Sequence, residues 1–184
     1  SALNTDLVHE DPRLPEVARR LAERGISIHT LDPSRYEQEL KRVYDLSLAS
    51  FHDNFLFTPL GEAEFAEQYA AVRPYLRPDL FILAKCAGDL VGYFFCLPDL
   101  NQVKRGVPVD TVLLKTMAVH PDHGGMGLGG LLMGRAHEAA RQAGFRRAIH
   151  ALMHETNRSG KISGHTARVF RRYTLFAKPL GGRP

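Results

Sequence analysis

The chain has 184 residues, 44% of them apolar and 24% charged, with 24 basic side chains against 20 acidic ones and a net charge of +4. That size supports one domain with a sizeable core. The small basic excess suits an anionic ligand but falls short of what nucleic-acid binding needs, no apolar run approaches the ~18 residues of a membrane span, and no leader pattern is visible.

Residues 12–24 carry Leu14, Val17, Ala18 and Leu21 at helical spacing and stop at Gly25, which predicts a first helix. Residues 26–31 alternate as a strand. Asp32-Pro33 then caps a helix marked by Tyr36, Leu40, Val43 and Tyr44 that runs to about Ser50. The stretch "HDNFLFTPLG" reads as a loop, and Phe65, Tyr69, Val72 and Leu76 mark another helix. Residues 80–85 and 90–97 form a predicted hairpin turning at Gly88-Asp89. A polar excursion over 98–110 leads to a strand over 111–119 and a glycine run. Leu128, Leu131, Leu132, Ala136, Ala139 and Ala143 then give one apolar helix face, ended by Gly144. Strands over 147–153 and 169–180 close the order, with a short helix or loop between them. This predicts an α/β domain with a mixed central sheet.

The hairpin register sets residue 86 opposite 91 and residue 96 opposite 81. Cys86 and Cys96 then lie about five residues, or ~17 Å, out of register. A disulfide needs Cα atoms within about 7 Å. Two free thiols fit a reducing cytoplasm, where this chain is expected to work.

The glycine run raises the functional question. Between Gly124 and Gly130, five of seven residues are glycine, and the run sits between a strand and an amphipathic helix. Glycines let a backbone turn tightly and approach a ligand. The first amides of the next helix lack intrahelical partners and carry the positive end of its dipole. Together these make an anion site suited to phosphate. Gly125-x-Gly127-x-x-Gly130 fits the dinucleotide fingerprint formally, but it does not follow its strand at once and no acid stands about 20 positions on. No Gly-Lys-Ser/Thr follows either, which excludes the triphosphate loop.

What remains is a strand-ending valine, a proline two residues on, and Gly-x-Gly-x-Gly opening a helix. Val119, Pro121, Gly125, Gly127, Leu128, Gly129, Leu132 and Met133 resemble motif A of the GNAT N-acetyltransferase superfamily, which binds acetyl-CoA. Gly124 replaces the family's Gln or Arg at a position that contributes mainly its backbone amide. The resemblance implies a GNAT-like, mostly antiparallel mixed sheet flanked by helices, and extends in element order from Ile26 to Leu180. The stretches "NFLFTPLGEAEF", "LPDLNQ" and "KPL" further resemble bacterial GNAT-like proteins about twice this length. On that likeness residues 1–25 are a linker helix, residues 26–184 the acetyltransferase domain, and the chain the C-terminal portion of a longer protein.

The resemblance also implies roles. Met117, Ala118 and Val119 would hold the pantetheine arm as an added strand. The amides of Gly124, Gly125, Met126, Gly127, Leu128, Gly129 and Gly130 would hold the pyrophosphate, and a side chain at Gly127 would collide with it. Asn157 matches a pantetheine-contacting asparagine, and a helix cap is its other reading. Where the family places a tyrosine acid this chain has Gly164, flanked by Ser163 and His165. His154 and Glu155, at a strand end, are the candidate bases for an acceptor ammonium. Asn54 and Phe55 fall in the loop that shapes the acceptor site in the family, and Tyr173 on the last strand either lines that site or packs on the sheet. His150 and His154 would lie about 13 Å apart on a strand, too far for one metal, so no metal is expected. Arg168, Arg171, Arg172 and Lys178 form a basic stretch, read as an exposed sheet face or a contact for CoA phosphates.

The expected activity is acetyl transfer from acetyl-CoA to a primary amine of a small molecule or peptide. The other reading, which the absent tyrosine favours, is a non-catalytic acyl-CoA-binding regulatory domain. The sequence leaves open a homodimer and the identity of the acceptor.

Overall fold

The computed structural model describes residues 1–154, 162–164, 166–176 and 178. Its strands are β1 (Ala2–Asn4), β2 (Ile26–Thr30), β3 (Phe81–Cys86), β4 (Asp89–Pro98), β5 (Thr111–Val119), β6 (Arg147–His150) and β7 (Arg168–Val169). Its helices are α1 (Leu14–Glu23), α2 (Tyr36–Phe51), α3 (Glu62–Val72), α4 (Leu100–Lys104) and α5 (Leu128–Gln142). The strands form one seven-stranded open sheet in the order β2-β3-β4-β5-β6-β1-β7. Only β5 and β6 pair in parallel; the other neighbours are antiparallel. The parallel pair follows from connectivity, because α5 carries the chain back across the sheet between them.

Helices cover both faces. Leu128, Leu131, Leu132 and Ala136 of α5 join Leu21 of α1 and Phe94, Cys96 and Leu114 of the sheet in one apolar cluster. Tyr36, Leu40, Val43 and Leu46 of α2 join Tyr69 of α3 and Tyr93, Phe95 and Leu97 on the opposite face. Period-two alternation along β4 thus feeds both layers. Gly92 allows α5 to sit close, since a Cβ there would lie 3.2 Å from both Leu128 and Leu132 side chains. On the α2 side, Ser47 donates to the Val43 carbonyl at 2.6 Å and pairs with the Tyr93 hydroxyl at 2.8 Å. The Ser47 proton is committed to the carbonyl, so Tyr93 donates, and both hydroxyls are satisfied.

Four expectations change. The β3–β4 turn is Ala87-Gly88, with φ of 50° and 93°, one residue earlier than the glycine-aspartate pair suggested. Two left-handed residues are what a tight two-residue hairpin needs. Cys86 therefore faces Asp89 instead of residue 91, and with a bulge at Ala84/Lys85 Phe81 faces Phe95 instead of residue 96. The final strand is also shorter than predicted, with Arg168–Val169 its only paired residues among those described. The position beside β6 belongs instead to β1, a strand the sequence reading missed. Asn4, 1% exposed, anchors it: its amide donates to the carbonyls of Thr166 at 2.8 Å and Val8 at 3.1 Å, and its oxygen accepts the Leu7 amide at 2.6 Å. Finally, the polar excursion holds α4, capped by Asp99 accepting from the Asn101 amide at 3.0 Å.

Both cysteines are free, Cys86 partly exposed and Cys96 buried. Burial raises the Cys96 thiol far above its ordinary range. Thiol titration without reductant should count one reactive group in the native protein and two after denaturation. Finding none after denaturation would overturn this arrangement.

Candidate active site

The site is built where β5 and β6 part. Their register runs from Thr111↔Arg147 to Leu114↔His150, and the Ala151 amide still reaches the Leu114 carbonyl at 3.0 Å. Beyond that point β5 continues against β4 as far as Val119↔Gly92, while β6 has ended. Among the described residues no strand pairs with the β6-facing edge of residues 115–119, where Ser50 Oγ donates to the Val119 carbonyl at 3.2 Å, and such an edge admits an added strand. Met117, Ala118 and Val119 all lie on this segment.

A short helical turn at Pro121–His123 and the glycine run connect β5 to α5. Gly125 and Gly127 have φ of 77° and 89°, so each needs a residue without Cβ. Gly127 is the residue before α5, whose first turn holds Leu128, Gly129 and Gly130. Leu128 is buried under Gly92, which anchors that helix end in the core. The Gly124 amide already donates to the Pro121 carbonyl at 2.9 Å. A Cβ at Gly127 would stand 2.9 Å from the Val17 side chain of α1. That protein contact is a reason for glycine there which the sequence reading lacked. Met126, between the two positive-φ glycines, meets two cations: Arg20 of α1 lies 3.3 Å from its carbonyl, and Arg24, just after α1, lies 2.9 Å from its sulfur. Both arginines are exposed beside the turn and were not foreseen as site residues.

A pocket of about 370 Å³ opens at the parting of the strands. Leu114, Lys115, Thr116 and Met117 line it from β5, and His150, Leu152 and Met153 from β6 and the chain after it. Phe51, Asn54, Phe55 and Phe57 close it from the end of α2 and the following loop, where Asn54 and Phe55 were expected. The exposed His154 ring stands 5.0 Å from that of Phe55. Glu155, Asn157 and His165 lie outside the described residues. Tyr173 is 59% exposed and belongs to no strand, so it does not pack on the sheet. Arg168, Arg171, Arg172 and Lys178 are exposed.

Sequence reasoning missed a buried polar pair in this pocket. His150 and Ser163 are each 2% exposed, and His150 Nδ1 lies 2.7 Å from Ser163 Oγ. The Ser163 hydroxyl also reaches Met153 Sδ at 3.2 Å. Behind His150 stands His137 with its ring 5.3 Å away, and behind that His9, stacked at a further 5.3 Å. His137 Nδ1 donates to the Met133 carbonyl at 3.0 Å. The signal was a histidine at an inward position of a strand whose alternate residue, Ala148, is fully buried. Among the described residues no group of three or more metal-binding side chains converges. A second cavity, bounded by Tyr75, Arg77 and Phe145, shares no lining residue with the first.

Residues 40–161 match the acetyltransferase (GNAT) family. A bacterial ceramide synthase from Caulobacter vibrioides (strain NA1000 / CB15N) is 29% identical over 93 residues, covering 48% of this chain and 24% of that protein. The chain therefore spans about a quarter of the length of this curated relative. The fold is shared with a GNAT family acetyltransferase from Brucella melitensis solved with acetyl-CoA, at a TM-score of 0.55 and 20% identity over 74% of this chain and 81% of that one. It is shared too with the glucosamine N-acetyltransferase region of a fungal multi-domain beta-N-acetylglucosaminidase, at a TM-score of 0.62 and 14% identity over 90% of this chain and 19% of that one.

The buried imidazoles give a pH signature. Burial, then the neighbouring His137 and His9, hold His150 down at about 3, and burial holds His137 down at about 4. Unfolded histidines titrate near 6.5. As pH falls from about 6.5 toward 4, the unfolded chain binds more protons than the folded one, so stability falls. Melting temperature should drop between pH 7.5 and pH 5, and less steeply in His150→Gln and His137→Gln. A slope unchanged by both substitutions would show that neither ring is held neutral.

Proposed function

The chain belongs to the GNAT acetyltransferase family, and we propose that it transfers the acetyl group of acetyl-CoA to a primary amine. One observation carries this reading: an open edge of β5 leads directly into a positive-φ glycine turn that starts α5. In the proposed arrangement the pantetheine arm runs along residues 115–119. The amides of Gly125, Met126, Gly127, Leu128, Gly129 and Gly130 face the pyrophosphate at the positive end of α5. Arg20 and Arg24 stand ready as phosphate partners at the end of α1. An amide near Val119 polarises the thioester carbonyl, as preorganised donors do where negative charge develops.

The acceptor enters between the loop over residues 51–57 and the chain leaving β6. Its ammonium must lose a proton before attack, and the proposed base is His154 at this mouth or Glu155, next to it in sequence. The amine then displaces the thiolate. His150, held well below its ordinary value by burial, cannot take that proton near neutral pH. The alternative, a non-catalytic acyl-CoA-binding domain, rests on Gly164 standing where the family has a tyrosine acid.

CoA release over a panel of amines separates the two readings. Turnover should fall at least about tenfold in His154→Ala or Glu155→Gln, with acetyl-CoA affinity little changed, because the base acts on the amine. Binding of acetyl-CoA with no turnover on any amine would favour the non-catalytic reading.

The turn is tested separately. At Gly125 a Cβ meets nothing within 4 Å, so Gly125→Ala strains only the backbone. It should cost about 1 kcal/mol of stability and weaken acetyl-CoA binding. Gly127→Val should cost more, because it also drives into Val17. Replacing both Arg20 and Arg24 with alanine should weaken binding about three- to tenfold at low salt without loss of stability. Calorimetry finding unchanged affinity in all three variants would remove the turn from the site.

A further inference from the structure

The pocket at the parted strands is more apolar than an acetyl group or a polar amine requires. Phe51, Phe57 and Phe94 line it together with Met117, Met133 and Met153. Phe55 and Leu152 stand at its surface 66% and 72% exposed. Large apolar side chains gathered at a pocket mouth mark a surface that something apolar covers. Flexible methionines adapt to a chain of variable shape.

The polar lining supports the same conclusion by its sign. Among the described residues no Asp or Glu lines the pocket, and its one formal charge is the Lys115 ammonium. Desolvation lowers the pKa of that ammonium. A polycationic acceptor would meet no complementary charge among these described lining residues. Of the buried polar groups, His150 Nδ1 and Ser163 Oγ pair at 2.7 Å, and His150 Nε2 has no hydrogen-bond partner among the described residues.

We propose that this pocket takes an aliphatic chain, carried either on the acyl group of the CoA thioester or on the amine that it acylates. This rests on the acyltransferase reading above. The reaction balances as an ordinary acyl transfer: the C–N bond forms, the C–S bond breaks, the amine proton leaves through the base, and CoA departs as the thiolate.

Calorimetric titration in two arms tests it. One arm runs CoA and acyl-CoAs from acetyl to decanoyl. The other runs butylamine to decylamine with CoA present. In at least one arm affinity should rise about two- to fourfold per added methylene until the pocket is filled. Leu152→Asp places a carboxylate at the mouth and should flatten that rise while leaving the affinity for CoA itself unchanged. Phe55→Ser checks the same wall from the other side. A rise in the first arm assigns the chain to the acyl group; a rise in the second assigns it to the amine. Affinities independent of length in both arms, with CoA still bound, overturn the aliphatic-chain proposal and leave the acyltransferase reading standing. Failure of the native protein to bind CoA in any form overturns that reading and this proposal with it.

Discussion

Everything at the site depends on where β5 and β6 stop pairing. The two strands share four register positions and then separate, because β5 runs on along β4 for five more residues, four of them paired and Lys115 in a bulge, while β6 ends. An unpaired edge inside a sheet leaves backbone amides and carbonyls without partners, which is costly unless something else pairs with them. The same separation opens the pocket and brings the end of α2 opposite the chain leaving β6. One break in a hydrogen-bond ladder thus creates both the open edge and the cavity.

The glycine turn is held from outside as well as by its own backbone. α1 lies across α5, with Val17 against Gly127 and Leu14 against Gly134. A Cβ at Gly134 would come 2.7 Å from Leu14, so the helices approach closely along this line. α1 therefore acts as a buttress that fixes the start of α5, and it brings Arg20 and Arg24 to the turn. Within residues 1–25, expected to be a linker, α1 packs against α5 and β1 pairs in the sheet.

The parts of this design that follow local rules were legible from the sequence. Periodic apolar positions located α2, α5 and β3 to β5, because burial on one face writes itself into spacing. The glycine run was legible because positive φ leaves few residue choices. What stayed hidden depends on tertiary pairing. β1 is three residues long, and only its fit between β6 and β7 makes it a strand. The hairpin turn was misplaced by one residue because Ala87 adopts positive φ, which its residue type does not announce. The contact of His150 with Ser163 spans 13 positions and a change of direction that no periodicity records. Arg20 and Arg24 gave no signal of their own, since a helix with many arginines reads as a solvated face.

The buried histidines bear on how proton transfer is divided in this site. Taking a proton from an ammonium requires a base whose charged form is tolerated where it sits. His150 fails that condition, since burial and two neighbouring imidazoles all disfavour its cation. Its neutral ring can instead hold the Ser163 hydroxyl in place at the deep end of the pocket. A charge-bearing base belongs at the mouth, where solvent stabilises it, and His154 stands there against Phe55. Such a division keeps an imidazolium out of the interior. That is the condition an apolar lining imposes, because an unpaired ion among phenylalanines and methionines would cost more than any single contact in the pocket returns.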